Sequence, residues 1–199
     1  MRDVRFFSQG LVALAAGLFA LGASAVEHRI DPTHTFATFE IDHFGATTNR
    51  GRFDRKQGTL FFNAVDETGK VDITFETGSV STGTPVFDAK IRSDDVLDSE
   101  RFPTARFVSD RFVFEGGKLA EVRGQLTLRD QTRPVSFRTL KFNCYNNPLI
   151  GRTICGGEFE AVIDRTAFGI DYLVRFGMPK EVRLLVQIEG VQENAPLRR

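Results

Sequence analysis

Any chemistry in this chain rests on few side chains. Its three histidines, His28, His34 and His43, fall within sixteen residues, six and nine apart, which is neither a helical nor a strand metal pair. A metal site needs more ligands than these positions give. His34 reads as a turn residue bonding near Asp31. His43 is in phase with Phe39 and Ile41 and should face inward, either as a buried neutral imidazole or as a polar contact for a ligand. The acids Asp94, Asp95, Asp98 and Glu100 lack the order of a calcium loop and read as a solvated, capped turn. Arg50, Arg52, Arg55 and Lys56 form a local basic cluster. That cluster is either a solvated strand face or a site for an anionic head group at a cavity mouth. No nucleophile elbow, phosphate loop, dinucleotide fingerprint or zinc-protease word is present. A triad assembled in space stays open, but no catalytic residue can be named.

The elements that position these residues begin after a leader. Arg2 and Arg5 precede an apolar run from Leu11 to Leu21, and Ala23-Ser24-Ala25 is a small-x-small cleavage site. The first 25 residues therefore read as a secretory signal cut after Ala25. The run is too short for a stable span, which needs about 20 apolar residues. The mature part has 174 residues, enough for one domain. It carries 24 basic and 25 acidic side chains, a net charge of −1. That excludes the broad basic field of a nucleic-acid binder. The only cysteines, Cys144 and Cys155, lie eleven apart around Asn146-Asn147-Pro148. In an exported chain they are expected to form a disulfide across the base of a loop.

Period-two alternation recurs along the mature chain, with polar residues on the opposite phase. It is visible from Ala37 to His43, Gly58 to Phe62, Val71 to Phe75, Val122 to Leu128, Val135 to Phe137, Phe159 to Ile163 and Val182 to Ile188. Such strands are half solvated and antiparallel. Gly-containing turns at residues 66–69 and 115–118 give hairpin-length connections. About eight strands predict an all-β sandwich or closed barrel; a barrel leaves no exposed edge. A short helical segment is expected near residues 93–99, capped by Ser93. The expected domain is 26–192, with 193–199 a frayed tail. Phenylalanine is the compositional signature, with twenty Phe against two Tyr and no Trp. Phe39, Ile41, Phe53, Leu60, Phe62, Ile73, Phe75, Leu126, Phe137, Phe159, Ile163 and Leu184 share the inward phase with His43. Phe61 and Phe142 fall on the other. From the residues alone, the inward set either fills the barrel or lines an apolar cavity.

Several words in order resemble the YceI-like family of exported polyisoprenoid-binding proteins. They are Ile30-Asp31-Pro32-Thr33-His34-Thr35, Phe39-x-Ile41-x-His43, Gly51-Arg52-Phe53, the segment from Phe87 to Asp98, and Phe102-Pro103-Thr104-Ala105-Arg106-Phe107. Gly124 to Val135 and Asp164-Arg165-Thr166-Ala167-Phe168-Gly169 complete the series. Asp130 stands where a Gly is usual. The resemblance implies a lipocalin-like closed antiparallel β-barrel whose lumen holds a polyisoprenoid, an isoprenoid quinone or a fatty amide. The thirteen inward residues would then be the ligand contacts, with His43, Arg50, Arg52 and Arg55 as head-group candidates. It implies no enzyme, no required cofactor and a periplasmic location. The expected partner is an apolar small molecule, with room for transient contact with a membrane surface or membrane protein and for a homodimer. The competing reading is a stress-related interaction protein with a filled barrel.

Overall fold

The computed structural model describes residues 26–193. The expected leader, and the expected tail beyond Glu193, lie outside the described residues. Eleven strands form one antiparallel sheet: β1 (Val26–Ile30), β2 (Phe36–His43), β3 (Thr47–Phe53), β4 (Lys56–Asn63), β5 (Thr68–Glu76), β6 (Val80–Ser81), β7 (Thr104–Glu115), β8 (Lys118–Leu128), β9 (Gln131–Asn147), β10 (Arg152–Asp164) and β11 (Glu181–Gln192). The first six act in pairs. β1 and β2 both run along β11, β3 and β4 pair with β2 and β1 respectively, and β6 continues β5 alongside β3. Each pair is thus one kinked stave. Eight staves in sequence order close when β11 meets β1 and β2, so the expected closed eight-stranded antiparallel barrel is the fold.

The closing joint explains the first sequence word. The chain kinks at residues 31–35, so the ladder along β11 is interrupted at Glu189. The Asp31 amide donates to the Glu189 carbonyl at 2.8 Å. The Thr35 hydroxyl donates to the same carbonyl at 3.3 Å and accepts from the Glu189 amide at 3.1 Å. Thr35 is fully buried. A side chain thus replaces the missing backbone partner, as a buried ladder requires. Past the joint, Glu193 donates its amide to the Glu27 carbonyl and pairs with Arg29 at 2.7 Å.

Turns sort to two ends. The β4–β5, β7–β8 and β9–β10 connections share the lower end with residues 26 and 193. The upper end carries the β2–β3 and β8–β9 turns and two long connections, 82–103 and 165–180. The first holds the single α-helix among the described residues, α1 (Pro85–Arg92). It begins eight residues before the expected position. Pro85 opens it with its fixed φ, and Ser93 ends it, donating its hydroxyl to the Lys90 carbonyl at 2.7 Å. Two acids after Ser93 mimicked a helix start; they occupy the following turn instead.

β9 and β10 are joined by Cys144 and Cys155, direct cross-strand neighbours bonded at 2.03 Å. On the outer wall, Arg50, Glu40, Arg183, Glu160 and Arg138 alternate in charge across β3, β2, β11, β10 and β9. The paired arginines hold the carboxyls of Glu40 and Glu160 below their ordinary range.

Replacing Thr35 with Val keeps its shape and leaves the buried Glu189 amide without a partner. Such a loss costs about 1–3 kcal/mol. Urea unfolding should show that drop, with faster hydrogen exchange at Glu189; unchanged stability would exclude a sealing role for Thr35.

Candidate functional site

Inward side chains from all staves surround a cavity of about 650 Å³, within the range of small-molecule sites. Of the inward set, every residue except Phe62 borders it: Phe39, Ile41, His43, Phe53, Leu60, Ile73, Phe75, Leu126, Phe137, Phe159, Ile163 and Leu184. Phe39, Ile41, Leu126 and Leu184 are only half-buried although they point inward, because the cavity leaves one side of each uncovered. Gly51 contributes by absence. A Cβ there would lie 2.5 Å from the Phe39 ring, so this strand must be bare where the ring sits.

The lower end is plugged. Phe62 meets Phe142 with ring centroids 4.8 Å apart and Phe114 at 6.3 Å. Phe62 sits on β4 and Phe142 on β9, four staves away, so their contact spans the lumen. Phe62 is therefore part of the floor rather than the cavity wall. Phe142 was expected to face outward, and a bulge corrects this. Glu158 pairs with Lys141 while Phe159 pairs with Thr139, so Leu140 is an extra residue and the inward phase of β9 passes from odd to even positions. The same happens on β7, where Ser109 pairs with Gly124 but Arg111 with Arg123, so Asp110 is extra and Phe112 and Phe114 turn inward.

The upper end is roofed by the two long connections. Ile91, Val96, Leu97, Ile170, Leu173 and Met178 supply apolar cover, and Lys90, Tyr172 and Arg165 also border the cavity. Two arginines hang the roof on backbone carbonyls. Arg129 donates to Val96 at 3.0 Å and Gly169 at 2.7 Å. Arg165 donates from Nε to Pro179 at 2.9 Å and from Nη1 to Tyr172 at 2.9 Å. Burial pushes the Arg165 pKa down, and the charges of Asp171 and Asp164 act against that. Arg129 and Asp130 both have positive φ, 49° and 57°, as a two-residue type I′ turn needs. Asp130 accepts the conformation for which Gly is the usual choice.

The expected head-group residues separate. His43 reaches the mouth, where it is exposed and packs edge-on against Phe44 at 5.1 Å. Arg50 borders the rim, but its Nε donates to Glu40 at 2.7 Å on the outer wall. Arg52 lies over the Phe36 ring at 4.7 Å and pairs with Asp54. Arg55 pairs with Glu76 at 2.5 Å. Strand phase places Arg50 and Arg52 outside, since Gly51 and Phe53 take the inward positions. Two further cations border the cavity, Lys90 and Arg165, and they lie in words quoted for the family resemblance but given no role there. Both lie outside the strands, in α1 and in the turn after β10, so period-two phase carried no signal for them.

A closed eight-stranded antiparallel barrel, floored by aromatic rings and enclosing an apolar cavity beneath a looped roof, is a lipocalin-like binding barrel in architecture. Comparison narrows that class: the YceI-like domain model matches residues 28–190, and the chain belongs to that family. A UPF0312 protein of Pseudomonas paraeruginosa is 34% identical over 187 residues, covering 92% of this chain and 96% of its own. Protein YceI of Salmonella arizonae is 34% identical over 185 residues, covering 90% and 95%. Among solved structures, Burkholderia cenocepacia BcnA superposes with a TM-score of 0.66 at 18% identity, covering 80% of this chain and 98% of its own. A polyisoprenoid binding domain from Saccharophagus degradans superposes with a TM-score of 0.59 at 14% identity, covering 85% and 99%.

On the outer wall at the closing kink, Asp31, His34 and Glu189 have their ligand atoms within 4.8 Å of one another. His34 Nδ1 lies 2.8 Å from Asp31 Oδ2. That hydrogen bond raises the His34 pKa, burial opposing and the charge of Asp31 adding. Burial lifts the Asp31 carboxyl, but bonds from His34 and Thr33 outweigh it and the net shift is down. A raised imidazole stabilises the fold fully below its unfolded value of about 6.5 and loses that contribution as pH rises through the folded value. A lowered carboxyl contributes above its unfolded value of about 3.9 and loses it as pH falls through the folded one. The pair should therefore be strongest in mildly acidic solution. An NMR titration should place His34 above the ordinary imidazole value in the native chain and return it to normal in Asp31→Asn; a normal value in both would remove the pairing.

Proposed function

We propose that the protein binds and carries a long apolar chain in its lumen, without catalysing a reaction on it. The chain is of the polyisoprenoid, isoprenoid quinone or fatty amide kind, and the location is the periplasm. The observation that carries this reading is the 650 Å³ apolar cavity, closed below by Phe62, Phe114 and Phe142. Burying each methylene gains about 0.8 kcal/mol, so a chain of about ten gains on the order of 8 kcal/mol before the cost of immobilising it. No directional group is needed to hold such a tail. The polyisoprenoid-binding name of the Saccharophagus degradans domain agrees with this ligand class. The signal-like leader and the Cys144–Cys155 bridge agree with export to an oxidising compartment. A filled barrel acting only as an adaptor is disfavoured by the cavity itself.

The source of the chain is a membrane surface, and the rim suits it. Phe44 (47% exposed), Val86 (69%), Phe87 (52%) and Phe176 (62%) all stand at the upper end, on three different connections around the mouth. Val65, Leu149 and Ile150 are exposed at the lower end too, but only the upper group surrounds the mouth of the cavity, where an apolar patch marks an interaction face.

Organic extraction or native mass spectrometry of the purified protein should reveal a bound apolar chain. Leu126→Trp, which fills the cavity, should weaken uptake of a long-chain quinone about tenfold or more, roughly the burial of two methylenes, with the fold intact by circular dichroism. No bound chain and no quinone uptake would end this reading. Separately, the double variant Val86→Glu, Phe176→Glu, at rim positions outside the cavity lining, should slow transfer of a bound chain to vesicles and leave affinity in solution unchanged. Unaltered transfer would place membrane contact away from the rim.

A further inference from the structure

Arg165 is the one buried Arg or Lys among the described residues. It follows β10 directly and opens the 3-10 turn at residues 165–168, and it is 5% exposed. Its backbone amide bonds the Lys180 carbonyl at 2.9 Å, fixing it at the root of the roof connection. Nε and Nη1 are used on neutral carbonyls of that same connection: Pro179, Tyr172 and, at 3.4 Å, Ile170. Nη2 is buried and has no hydrogen-bond partner among the described residues.

Among the described residues no carboxylate forms an ion pair with this cation; Asp171 and Asp164 favour its charge only through space. The adjacent Asp164 carboxylate accepts from the Thr166 amide and hydroxyl at 2.8 and 2.6 Å, capping the turn. On the outer wall Arg50, Arg55, Arg106, Arg138 and Arg183 each rest on an acid, and Arg129, which like Arg165 bonds only carbonyls, is half-buried and keeps access to water. A buried guanidinium that bonds only carbonyls has lost water without gaining a directly paired counter-charge. Its free N–H is an unmade bond in a place where polar groups are normally satisfied. A purely structural arginine would be cheaper as a neutral donor, since carbonyls need no charge opposite them.

Arg165 also borders the cavity, at the end away from the ring floor. A second cation adjoins it. Lys90 borders the same cavity, and its Nζ lies 4.8 Å from the Tyr172 ring centroid. The carbonyl of that Tyr172 is the one Arg165 holds. Lys90 is matched by Asp95 at 2.7 Å, so Arg165 remains the cation without an acid. The lumen is therefore polarised: an apolar floor and wall, with its cations at the upper end.

We propose that Arg165 is the polar anchor of the site, its Nη2 donating to the oxyanion head group, phosphate or carboxylate, of an amphiphile whose chain lies in the lumen. This rests on the lumen-binding reading above and adds a head-group class to it. The head group supplies the missing counter-charge and acceptor together, and a guanidinium suits both phosphate and carboxylate oxygens. Arg165 also holds the roof, so head-group capture and roof position share one side chain.

The test uses the full mature chain, stripped of lipid, with dodecyl phosphate, dodecanoate and dodecanol competing against a fluorescent apolar probe. The native protein should bind at least one anionic ligand about tenfold tighter than the alcohol, the worth of one charge-assisted bond. The better of the two anions identifies the head group. Arg165→Gln should abolish that preference, read as the ratio of anion to alcohol affinity, whereas Arg165→Lys should retain part of it. A merely structural arginine would weaken all three ligands alike. Should Arg165→Gln fail to fold, the native protein still decides: the phosphorus resonance of bound dodecyl phosphate must titrate at lower pH than in free solution. Equal affinity for all three ligands, a preference surviving Arg165→Gln, or an unshifted phosphorus titration overturns the anchor and leaves the lumen reading standing. Binding of none of the three overturns both.

Discussion

Closure of the barrel along β11 is the constraint on which everything else depends. β11 has β10 on one edge and must satisfy its other edge with two successive strands, β1 and β2, set apart by a kink. A continuous ladder would need no side chain there. The kinked one needs Thr35, because the Glu189 amide and carbonyl would otherwise be buried with incomplete partners. Asp31 shapes the kink by accepting from the Thr33 amide at 2.8 Å. The Asp-Pro-Thr-His-Thr word is thus joinery. With the joint made, the sheet has no free edge along β11, and the inward faces of eight staves enclose more space than their side chains fill.

Phenylalanine decides how that space is divided. A straight period-two pattern would spread rings evenly up the wall. Bulges on β7 and β9 instead switch phase in the lower half and bring Phe112, Phe114 and Phe142 inside, where Phe114 and Phe142 meet Phe62. Rings concentrated at one level make a floor, and the level above it stays open. Ring-to-ring contacts continue up the wall between Phe107 and Phe137 and between Phe39 and Phe53. Those pairs line the cavity and do not cross it.

The wall was legible in the sequence because alternation is local: one residue in, one out, set by the pleat. Twelve of the thirteen inward residues border the cavity for that reason, and the Cys144–Cys155 bridge follows from context as much as from spacing. The bulges were not legible. Their cause lies in how a neighbouring strand bends, so Phe142 read as outward. The helix was misplaced because Ser93-Asp94-Asp95 carries a start signal that Pro85, eight residues earlier, had already supplied. The head-group candidates suffered differently. Arg50, Arg52 and Arg55 attract notice by clustering, but clustered charges are cheapest on the surface, where Glu40, Asp54 and Glu76 meet them. The arginine that matters to the cavity is solitary.

Wall and roof differ in kind. The wall acts through apolar area, which is non-directional and grows with the length of chain buried. It can choose long over short, but it barely distinguishes one tail from another of equal size. The roof is directional: Arg129 and Arg165 hold it through backbone carbonyls, and Leu173 and Gly177 bend it through positive φ, 60° and 97°. Carbonyl contacts of this sort can be exchanged for water one at a time, unlike the packed ring floor, whose rings lose their contacts together. The end of the molecule able to yield is therefore also the end able to discriminate. Under the proposed function, a chain entering tail-first would come to rest with its polar end among the few donors the lumen possesses.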